Sequence, residues 1–256
     1  MASIHRTTMT PTKLELLTAW LPTRPWYLGT SGTPELTKAG GFRLDDPEGE
    51  VGIEFMVVTD GSGDHPVSYH VPLSYRAAPL EGADQGFVGT SEHGVLGRRW
   101  LYDGTHDPVL VGQLLALLQH RAEPQAQSQS DTPDPSVTVS STGVGPSGGL
   151  VSATVNDGEH GTAVTVRTEA TAAGQSGEAA GPLILAVTRV LSPAPEGEGP
   201  DSGAGAGSDS GARAVEAGGA GGALGHVTGN WRSPDGSENR AAFATLYTTA
   251  GQHTAH

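Results

Sequence analysis

The segment between residues 195 and 223 limits the possible folds of this chain most strongly. Ten of its twenty-nine residues are glycine, and Val215 is its only larger aliphatic residue. Ordering a backbone costs roughly 1–2 kcal/mol per residue, and buried apolar surface has to offset that cost. This segment lacks the necessary side chains, so we expect it to be a flexible insertion within a structured region.

The charge and residue composition exclude several classes of protein. The formal net charge is −14, and a surface of that sign repels the phosphates of nucleic acids and anionic membranes, so we expect neither as a partner. There is no cysteine, which excludes disulfides and thiolate metal sites. The N-terminus has no apolar leader, and only two lysines accompany abundant alanine, glycine and proline. We therefore expect a cytoplasmic protein from a bacterium with a high-GC genome.

Two helices are predicted in the first 122 residues. Thr10 and Pro11 suit the cap and the first position of a helix that ends at Pro22. Asp107 and Pro108 repeat this arrangement at the start of a second helix, over about 107–121. Apolar residues recur at helical spacing in both. They are Leu14, Leu16, Leu17, Trp20 and Leu21 in the first helix and Leu110, Val111, Leu114, Leu115, Leu117 and Leu118 in the second.

Between these helices the apolar period changes to two, which is typical of strands. Residues 51–57 alternate and predict a strand with one apolar face. A turn at 60–64 leads to a partner strand at 67–73, and a further strand is predicted at about 96–102. Together these elements predict a small α+β domain over residues 1–122, which we expect to fold alone.

The remainder of the chain has a different character. Residues 123–135 are polar and rich in Pro, Gln and Ser, so we interpret them as a linker. Short β-like runs follow at 137–139, 150–155, 163–166, 183–191, 224–231 and 241–247. We therefore predict a β-rich module over residues 136–256, interrupted by the insertion and less able to fold by itself.

Several strings in the first part resemble the N-terminal cap domain of maltokinases. They are Leu16–Leu17 with Trp20–Leu21–Pro22, Arg24–Pro25–Trp26–Tyr27, Val51–Phe55, Tyr69–Leu73, Tyr102–Asp103–Gly104 and Asp107–Pro108. The resemblance covers about residues 10–121. It implies a cystatin-like α+β fold, in which a curved antiparallel sheet packs with helices. In that family the cap precedes a kinase of the aminoglycoside-phosphotransferase type, which makes maltose 1-phosphate from maltose and ATP.

The second part resembles only the small β-rich part of a kinase N-lobe. Gln129–Thr132 is similar to a Gln-Ser-Asn-Thr string of the family, and residues 183–191 resemble the strand that carries the ATP-binding lysine. Ala186 occupies that lysine position, and an alanine cannot contribute positive charge to phosphoryl transfer. We find no His-Gly-Asp or Asp-Phe-Glu motif, and we expect no C-lobe. The resemblance therefore implies a protein that is not a kinase and needs no cofactor.

Three other patterns could carry chemistry. The glycines of Gly143–Gly148 match the spacing of nucleotide-binding loops, but without a following helix or lysine we interpret them as an ordinary turn. His253 and His256 could chelate a metal, but we interpret them as part of a frayed tail. Glu92–His93 and the 103–107 stretch could form a proton-transfer site, in which a carboxylate orients a histidine. The simpler interpretation is that Asp103–Gly104 forms a turn, Asp107 caps the helix and His106 is exposed.

An interaction or ligand surface is the remaining site hypothesis. Aromatic residues could form a platform for a sugar, or they could divide between core and rim. The candidate residues for this surface are Arg24, Trp26, Tyr27, Trp100, Tyr102, Asp103 and His106.

Two functions follow as hypotheses. The first is a non-catalytic interaction or regulatory module that binds another protein of maltose, trehalose or glycogen metabolism. The second is a divergent sugar-kinase-like protein with residual nucleotide or sugar binding.

Overall fold

The computed structural model describes residues 9–29, 32–129, 131–142, 149–169, 181–192 and 220–249. Its helices are α1 (Lys13–Trp20) and α2 (Pro108–Leu118). Strands β1 to β7 are Met9–Thr10, Leu36–Leu44, Gly52–Asp60, Val67–Arg76, Phe87–His93, Gly97–Asp103 and Gln125–Ala126. Strands β8 to β14 are Thr138–Ser141, Leu150–Gly158, Gly161–Thr168, Leu183–Val187, Val190–Leu191, Ala220–Arg232 and Glu238–Thr249. Short 3₁₀ turns lie at Leu21–Thr23, Asp84–Gly86 and Gly104–His106.

The strands form one antiparallel sheet across both parts of the chain. Its order is β1-β5-β6-β4-β3-β2-β13-β14-β11-β10-β9, with β7 beside β2, β8 beside β13 and β12 beside β4. With only two α-helices among the described residues, the predicted α+β class with a curved antiparallel sheet is confirmed. No described helix has the length and apolar character to span a membrane.

The start of α1 differs from the prediction by two residues. Thr12, not Thr10, is the cap: its hydroxyl accepts a hydrogen bond from the Glu15 amide at 3.2 Å, and Glu15 Oε2 accepts one from the Thr12 amide at 2.7 Å. This reciprocal capping box satisfies two amide groups that the helix itself leaves unpaired. Leu17 and Trp20 are buried on the sheet, and the helix passes into the 3₁₀ turn that contains Pro22.

Strand β3 is buried on both faces, so the prediction of a single apolar face is wrong. Ile53, Phe55 and Val57 lie in the core under α2, whereas Met56 and Val58 lie in the core under α1. Because a helix covers each face of this central strand, its alternation does not separate an inner side from a solvent side. Even Glu54 is only 4 % exposed.

Helix α2 begins where the sequence predicts. Asp107 caps it, and its Oδ1 accepts a hydrogen bond from the Val109 amide at 2.9 Å. Leu110 and Leu114 are each 1 % exposed. The apolar cluster around α2 unites residues from both halves of the chain, including Phe42, Phe55, Leu114, Val164, Leu185, Val227, Phe243 and Leu246.

Other predicted boundaries shift because of long-range pairing. Residues 36–44 and 87–93 are strands that were not predicted from the sequence. The predicted linker contributes β7, which pairs with Phe42 and Arg43. The predicted strand at 183–191 is two strands with different partners, since β11 pairs with β14 and β12 pairs with β4.

Some predicted features lie partly or wholly outside the described residues. Strand β13 begins at Ala220, so the last four residues of the predicted insertion 195–223 belong to a strand. Positions 195–219, Gly143–Gly148, His253 and His256 are outside the described ranges. The division into 1–122, 123–135 and 136–256 stays a prediction, although Trp231 of β13 pairs with Gly40 of β2 across it.

Candidate functional site

The centre of the candidate site is Arg189, at the break between β11 and β12. The Thr188 amide donates to the Phe243 carbonyl at 3.0 Å, on the C-terminal side of the sheet. One residue later, the Arg189 carbonyl accepts from the His70 amide of β4 at 2.8 Å. The chain therefore crosses from the C-terminal strands to the N-terminal strands at this residue.

The guanidinium of Arg189 is completely buried. Its Nη2 donates to Asp103 Oδ2 at 2.6 Å and to Thr105 Oγ1 at 3.2 Å, while Nε donates to Thr162 Oγ1 at 2.7 Å. A buried charge is tolerated only when it is paired and hydrogen-bonded. These contacts join β6, the turn after it and β10.

Asp103 is matched to this cation. Its second oxygen, Oδ1, accepts from the Thr105 amide at 3.1 Å and from the Thr105 hydroxyl at 2.9 Å. Burial alone would raise the pKa of Asp103, but the charge and hydrogen bond of Arg189, together with His106 and the Thr105 amide, hold that pKa below its ordinary value. Asp103 is therefore ionised at neutral pH and both of its oxygens are occupied.

Trp26 covers the guanidinium from one side. The carbon at the centre of the guanidinium lies 4.9 Å from the Trp26 ring centroid, a cation–π arrangement. Among the described residues, Arg189 Nη1 and Trp26 Nε1 have no hydrogen-bond partner. The buried pair thus retains donor capacity that the described side chains do not use.

A rim of partly exposed polar groups lies beside this buried pair. Ligand atoms of Asp103, His106 and Asp157 lie within 4.8 Å of one another. Asp157 Oδ1 accepts from the Thr162 hydroxyl, and Asp157 Oδ2 is 3.9 Å from Arg24 Nη1. Arg24 also donates to the Gln85 carbonyl at 3.1 Å.

This rim has the residue types of a metal centre but not its electrostatics. Two carboxylates and a histidine can bind a divalent cation. Here, however, Asp103 and Asp157 already face Arg189 and Arg24. A cation would have to displace these pairs or lie beside two positive charges. We therefore interpret the group as an ion-pair network.

The structure gathers some of the predicted candidate residues and separates others. Arg24, Trp26, Asp103 and His106 all lie around Arg189 and Asp157. Tyr27 instead donates its hydroxyl to Asp60 at 2.7 Å and stacks on Tyr69. Burial and the Asp60 carboxylate raise the pKa of the Tyr27 phenol.

The remaining aromatic candidates lie on β6. Tyr102 is buried, packs against Phe87 and accepts from the Leu80 amide at 2.9 Å. Trp100 is half-buried on the same face, two residues earlier. Trp26 and Tyr102 are therefore in the core, whereas Tyr27 and Trp100 are partly exposed. This matches the predicted division between core and rim and not the predicted sugar platform.

The simpler interpretation of the 103–107 stretch describes its geometry well. Asp103 caps the 3₁₀ turn, and Asp107 caps α2 while pairing with Arg76 through two contacts of 2.6 Å. Glu92 pairs with Arg98 at 2.7 Å on the β5–β6 hairpin. His106 was expected to be exposed but is half-buried, because Gly86 packs directly against its side chain.

Sequence reasoning missed Arg189, Thr162 and Asp157 as members of the site. One signal was present: Arg189 interrupts the apolar run of residues 183–191, and an arginine flanked by buried positions requires a partner. The partner could not be identified, because Asp103 lies 86 positions away along the chain.

His70 is a second missed group, and it lies next to Arg189. It is fully buried with its ring 4.3 Å from that of Phe243, and Nδ1 lies 3.0 Å from the Thr188 carbonyl. Because a carbonyl only accepts, Nδ1 carries the proton. Burial, followed by the positive charge of Arg189, lowers the pKa of His70 to about 3. The imidazole is neutral at physiological pH.

The N-terminal part of the chain has an α+β fold in which a curved antiparallel sheet packs with helices. Residues 20–107 match the family model of the maltokinase N-terminal cap domain, so the predicted resemblance is confirmed for this range. The matched range contains Arg24, Trp26, His70, Asp103 and His106. Arg189 and Thr162, which complete the buried network, lie outside it. The search of curated proteins found no match to the chain.

Proposed function

We propose that this protein is a non-catalytic interaction module of maltose, trehalose or glycogen metabolism, which binds another protein of that metabolism. The match to a maltokinase cap domain supports the link to maltose and trehalose. A likeness of fold does not by itself assign function. The proposal therefore depends on what the site residues do in this structure.

The observation that carries the proposal is the closed pairing of Asp103 with Arg189. A catalytic acid or base needs a free oxygen within reach of a substrate. Both Asp103 oxygens are bound by Arg189 and Thr105, and the side chain is completely buried. These groups fix the cap-like region to the C-terminal strands, which supports a rigid binding scaffold.

Strand β11, which resembles the lysine-bearing strand of a kinase, supports the same proposal because Ala186 occupies the lysine position. Ala186 is 1 % exposed and lies in a small apolar cluster with Ile184, Ala163 and Tyr247. An apolar site of this kind offers no charge to a nucleotide phosphate. We expect purified protein to form no sugar phosphate from ATP and maltose, glucose or glucosamine. Product that increases in proportion to the protein, in a preparation free of other kinases, would contradict this.

The surface that we propose for the partner is the rim at Arg24, His106 and Asp157. Its side chains are partly exposed, unlike the buried pair beneath them. Arginine is favoured at protein interfaces, since it combines apolar contact with several directed hydrogen bonds.

Direct binding to purified enzymes of maltose and trehalose metabolism from the same organism tests the proposal. Titration calorimetry should detect binding to at least one enzyme. Arg24→Glu should weaken it at least tenfold, because it reverses the charge on the rim. Arg98→Glu is the matched control, since Arg98 lies on the distant β5–β6 hairpin and its side chain is 61 % exposed. Equal affinities of both variants, or no binding to any such enzyme, would contradict the proposal.

A cleft at the junction of the two parts favours the alternative, residual nucleotide or sugar binding. It has a volume of about 430 Å³, and its lining includes Lys38, Arg232, Thr37, Thr59 and Ser233. Two cations with hydroxyl groups suit a phosphate or a sugar. Melting temperatures measured with ATP–Mg²⁺, maltose, trehalose and glucosamine separate the two proposals, because binding stabilises the fold by RT ln(1 + [L]/Kd). A rise that Lys38→Ala abolishes would favour the alternative.

A further inference from the structure

The two edge strands of the sheet, β1 and β9, differ in length. At one end is β1, of which the structure describes two residues, Met9 and Thr10. At the other end is β9, which contains nine residues and pairs only with β10 within the described part of the chain. An unpaired strand edge presents a row of amide and carbonyl groups to which another strand can bind.

The outer strand β9 carries a register break at Val151 and a charge at Asp157, but the part between them lacks the charges and prolines that usually protect such an edge. Natural edges are shortened or carry charges or prolines. Residues 150–156, Leu-Val-Ser-Ala-Thr-Val-Asn, contain neither. Ser152, Ala153 and Thr154 are exposed, and the Val151 side chain is 63 % exposed. A break in the register between β9 and β10 at Val151 leaves Ser152–Asn156 as the regular uncharged part of the strand.

This part of β9 is complementary to itself. In an antiparallel pair centred on Thr154, Thr154 faces its own copy, Ala153 faces Val155 and Ser152 faces Asn156. Small apolar residues then share one face of the joint sheet and polar residues the other. No like charges are opposed, whereas a charged edge would repel its own copy.

The apolar face of such a pair would continue the existing core. Ala153 and Val155 pair with Val166 and Val164 of β10, both of which are completely buried. Paired residues lie on the same face of a sheet. A second copy would therefore cover Ala153 and Val155 at the position where the core of one chain ends.

We propose that the edge of β9 is a homodimer interface, at which two copies of this chain pair through residues 152–156 into one continuous sheet. This inference does not rest on the proposed function, and Asp157 of the proposed partner surface directly follows the paired residues on β9. Each copy carries a formal charge of −14, so long-range repulsion opposes association and is screened by salt. Dimerisation should therefore become stronger as the salt concentration rises from 0.05 to about 0.5 M.

Thr154→Lys and Thr165→Lys form a matched pair of variants that tests the interface. Thr165 pairs directly with Thr154, and both side chains are exposed. Only Thr154, however, lies on the outer strand. By analytical ultracentrifugation, wild type and Thr165→Lys should dimerise with similar affinity. Thr154→Lys should dimerise at least tenfold more weakly, since it opposes two lysines, and its circular dichroism should be unchanged.

A cross-linking experiment tests the register. The chain has no cysteine, so Thr154→Cys introduces a single thiol. Directly opposed residues in an antiparallel pair have Cβ atoms about 5 Å apart, close enough for a disulfide. Two thiols at Thr165 would be about three strand spacings apart, roughly 14 Å. Oxidised glutathione should therefore yield covalent dimers of Thr154→Cys and none of Thr165→Cys.

Three results would overturn the proposal: a monomeric wild type at 0.5 M salt and 100 µM protein, a Thr154→Lys variant that dimerises like wild type, or equal weakening by both lysine variants. Dimers that form without cross-linking at Thr154 would equally contradict the proposed register.

Discussion

The two faces of β3 are covered in different ways. The face under α1 packs against a cluster, here the α1 core, whose buried members are Leu17, Trp20, Leu21, Trp26, Met56, Val58, Tyr69, Val71 and Leu73. Of the partly buried residues around it, Val190 alone comes from beyond residue 88. The opposite face packs against the α2 core, which extends from Phe42 to Leu246 along the sequence.

This difference shows how one strand can belong to a local and a non-local unit at the same time. The α1 core is closed by nearby segments, whose contacts require only short loops. The α2 core requires β13 and β14, which lie far from β3 and α2 along the sequence, and contacts between distant segments are entropically costly to form. We therefore expect the C-terminal strands to depend on α2 and β3 more than the α1 core depends on them.

The largest effect is expected for Arg189→Met. This change leaves Asp103 charged and buried without its partner, and the removal of one member of a buried pair costs about 3–5 kcal/mol. Urea unfolding monitored by tryptophan fluorescence measures the loss. The double variant Arg189→Met/Asp103→Asn should recover part of it, because no unpaired charge remains. A loss below 1 kcal/mol would show that the buried pair does not stabilise the fold.

Leu114→Ala should cost about 2–5 kcal/mol, because it opens a cavity in the α2 core. Leu17→Ala is the comparison in the α1 core, with equal burial. Both should destabilise the protein in urea. Only Leu114→Ala should loosen the C-terminal strands, seen as faster hydrogen exchange of the backbone amides of β13 and β14. A cost of less than 0.5 kcal/mol for Leu114→Ala would contradict the assignment of this helix face to the core.

The stability of the protein should fall with pH below about 6.5 because of His70. Its pKa in the folded protein, about 3, lies below the value of about 6.5 in the unfolded chain. The unfolded chain binds the proton more readily between these values, so acid favours unfolding. His70 should account for a loss of about 1.5 kcal/mol between pH 6.5 and pH 5. His70→Gln should flatten this part of the profile, and an unchanged slope would rule out His70 as its source.

The smallest effect is expected for Glu92→Gln on the β5–β6 hairpin. The Arg98–Glu92 distance of 2.7 Å resembles the Arg189–Asp103 distance of 2.6 Å, but both partners are more than half exposed. Exposed pairs contribute about 0–1 kcal/mol, so we expect a change below 0.5 kcal/mol in urea unfolding. A loss comparable to that of Arg189→Met would show that burial does not set the energies of these pairs.

The sequence predicted those elements whose patterns are local. The cap at Asp107, the leucines of α2 and the alternation in β3 and β4 are visible within windows of about ten residues. Strand β2 was missed because Lys38, Gly40, Gly41 and Arg43 break its alternation. Its partners on one side, β7 and β13, lie far along the chain.

The candidate site was predicted less completely than the fold. Asp103 and His106 were identified from their turn-rich context, but their roles depend on Arg189, Thr162 and Asp157. These three residues lie beyond residue 150, and their positions are set by strand pairing that no local pattern encodes. The burial of both faces of β3 was missed for the same reason, because the strands that help to cover one face are distant in sequence.

Amide hydrogen exchange of β13 and β14 in wild type and Leu114→Ala tests most directly whether the C-terminal strands depend on α2. We expect the opening free energies of the Val227 and Phe243 amides to fall by the same amount as that of the Leu117 amide in α2. The contrary result is a Leu114→Ala variant in which the α2 amides exchange faster while the Val227 and Phe243 amides exchange as slowly as in wild type. It would show that the C-terminal strands are stable without α2.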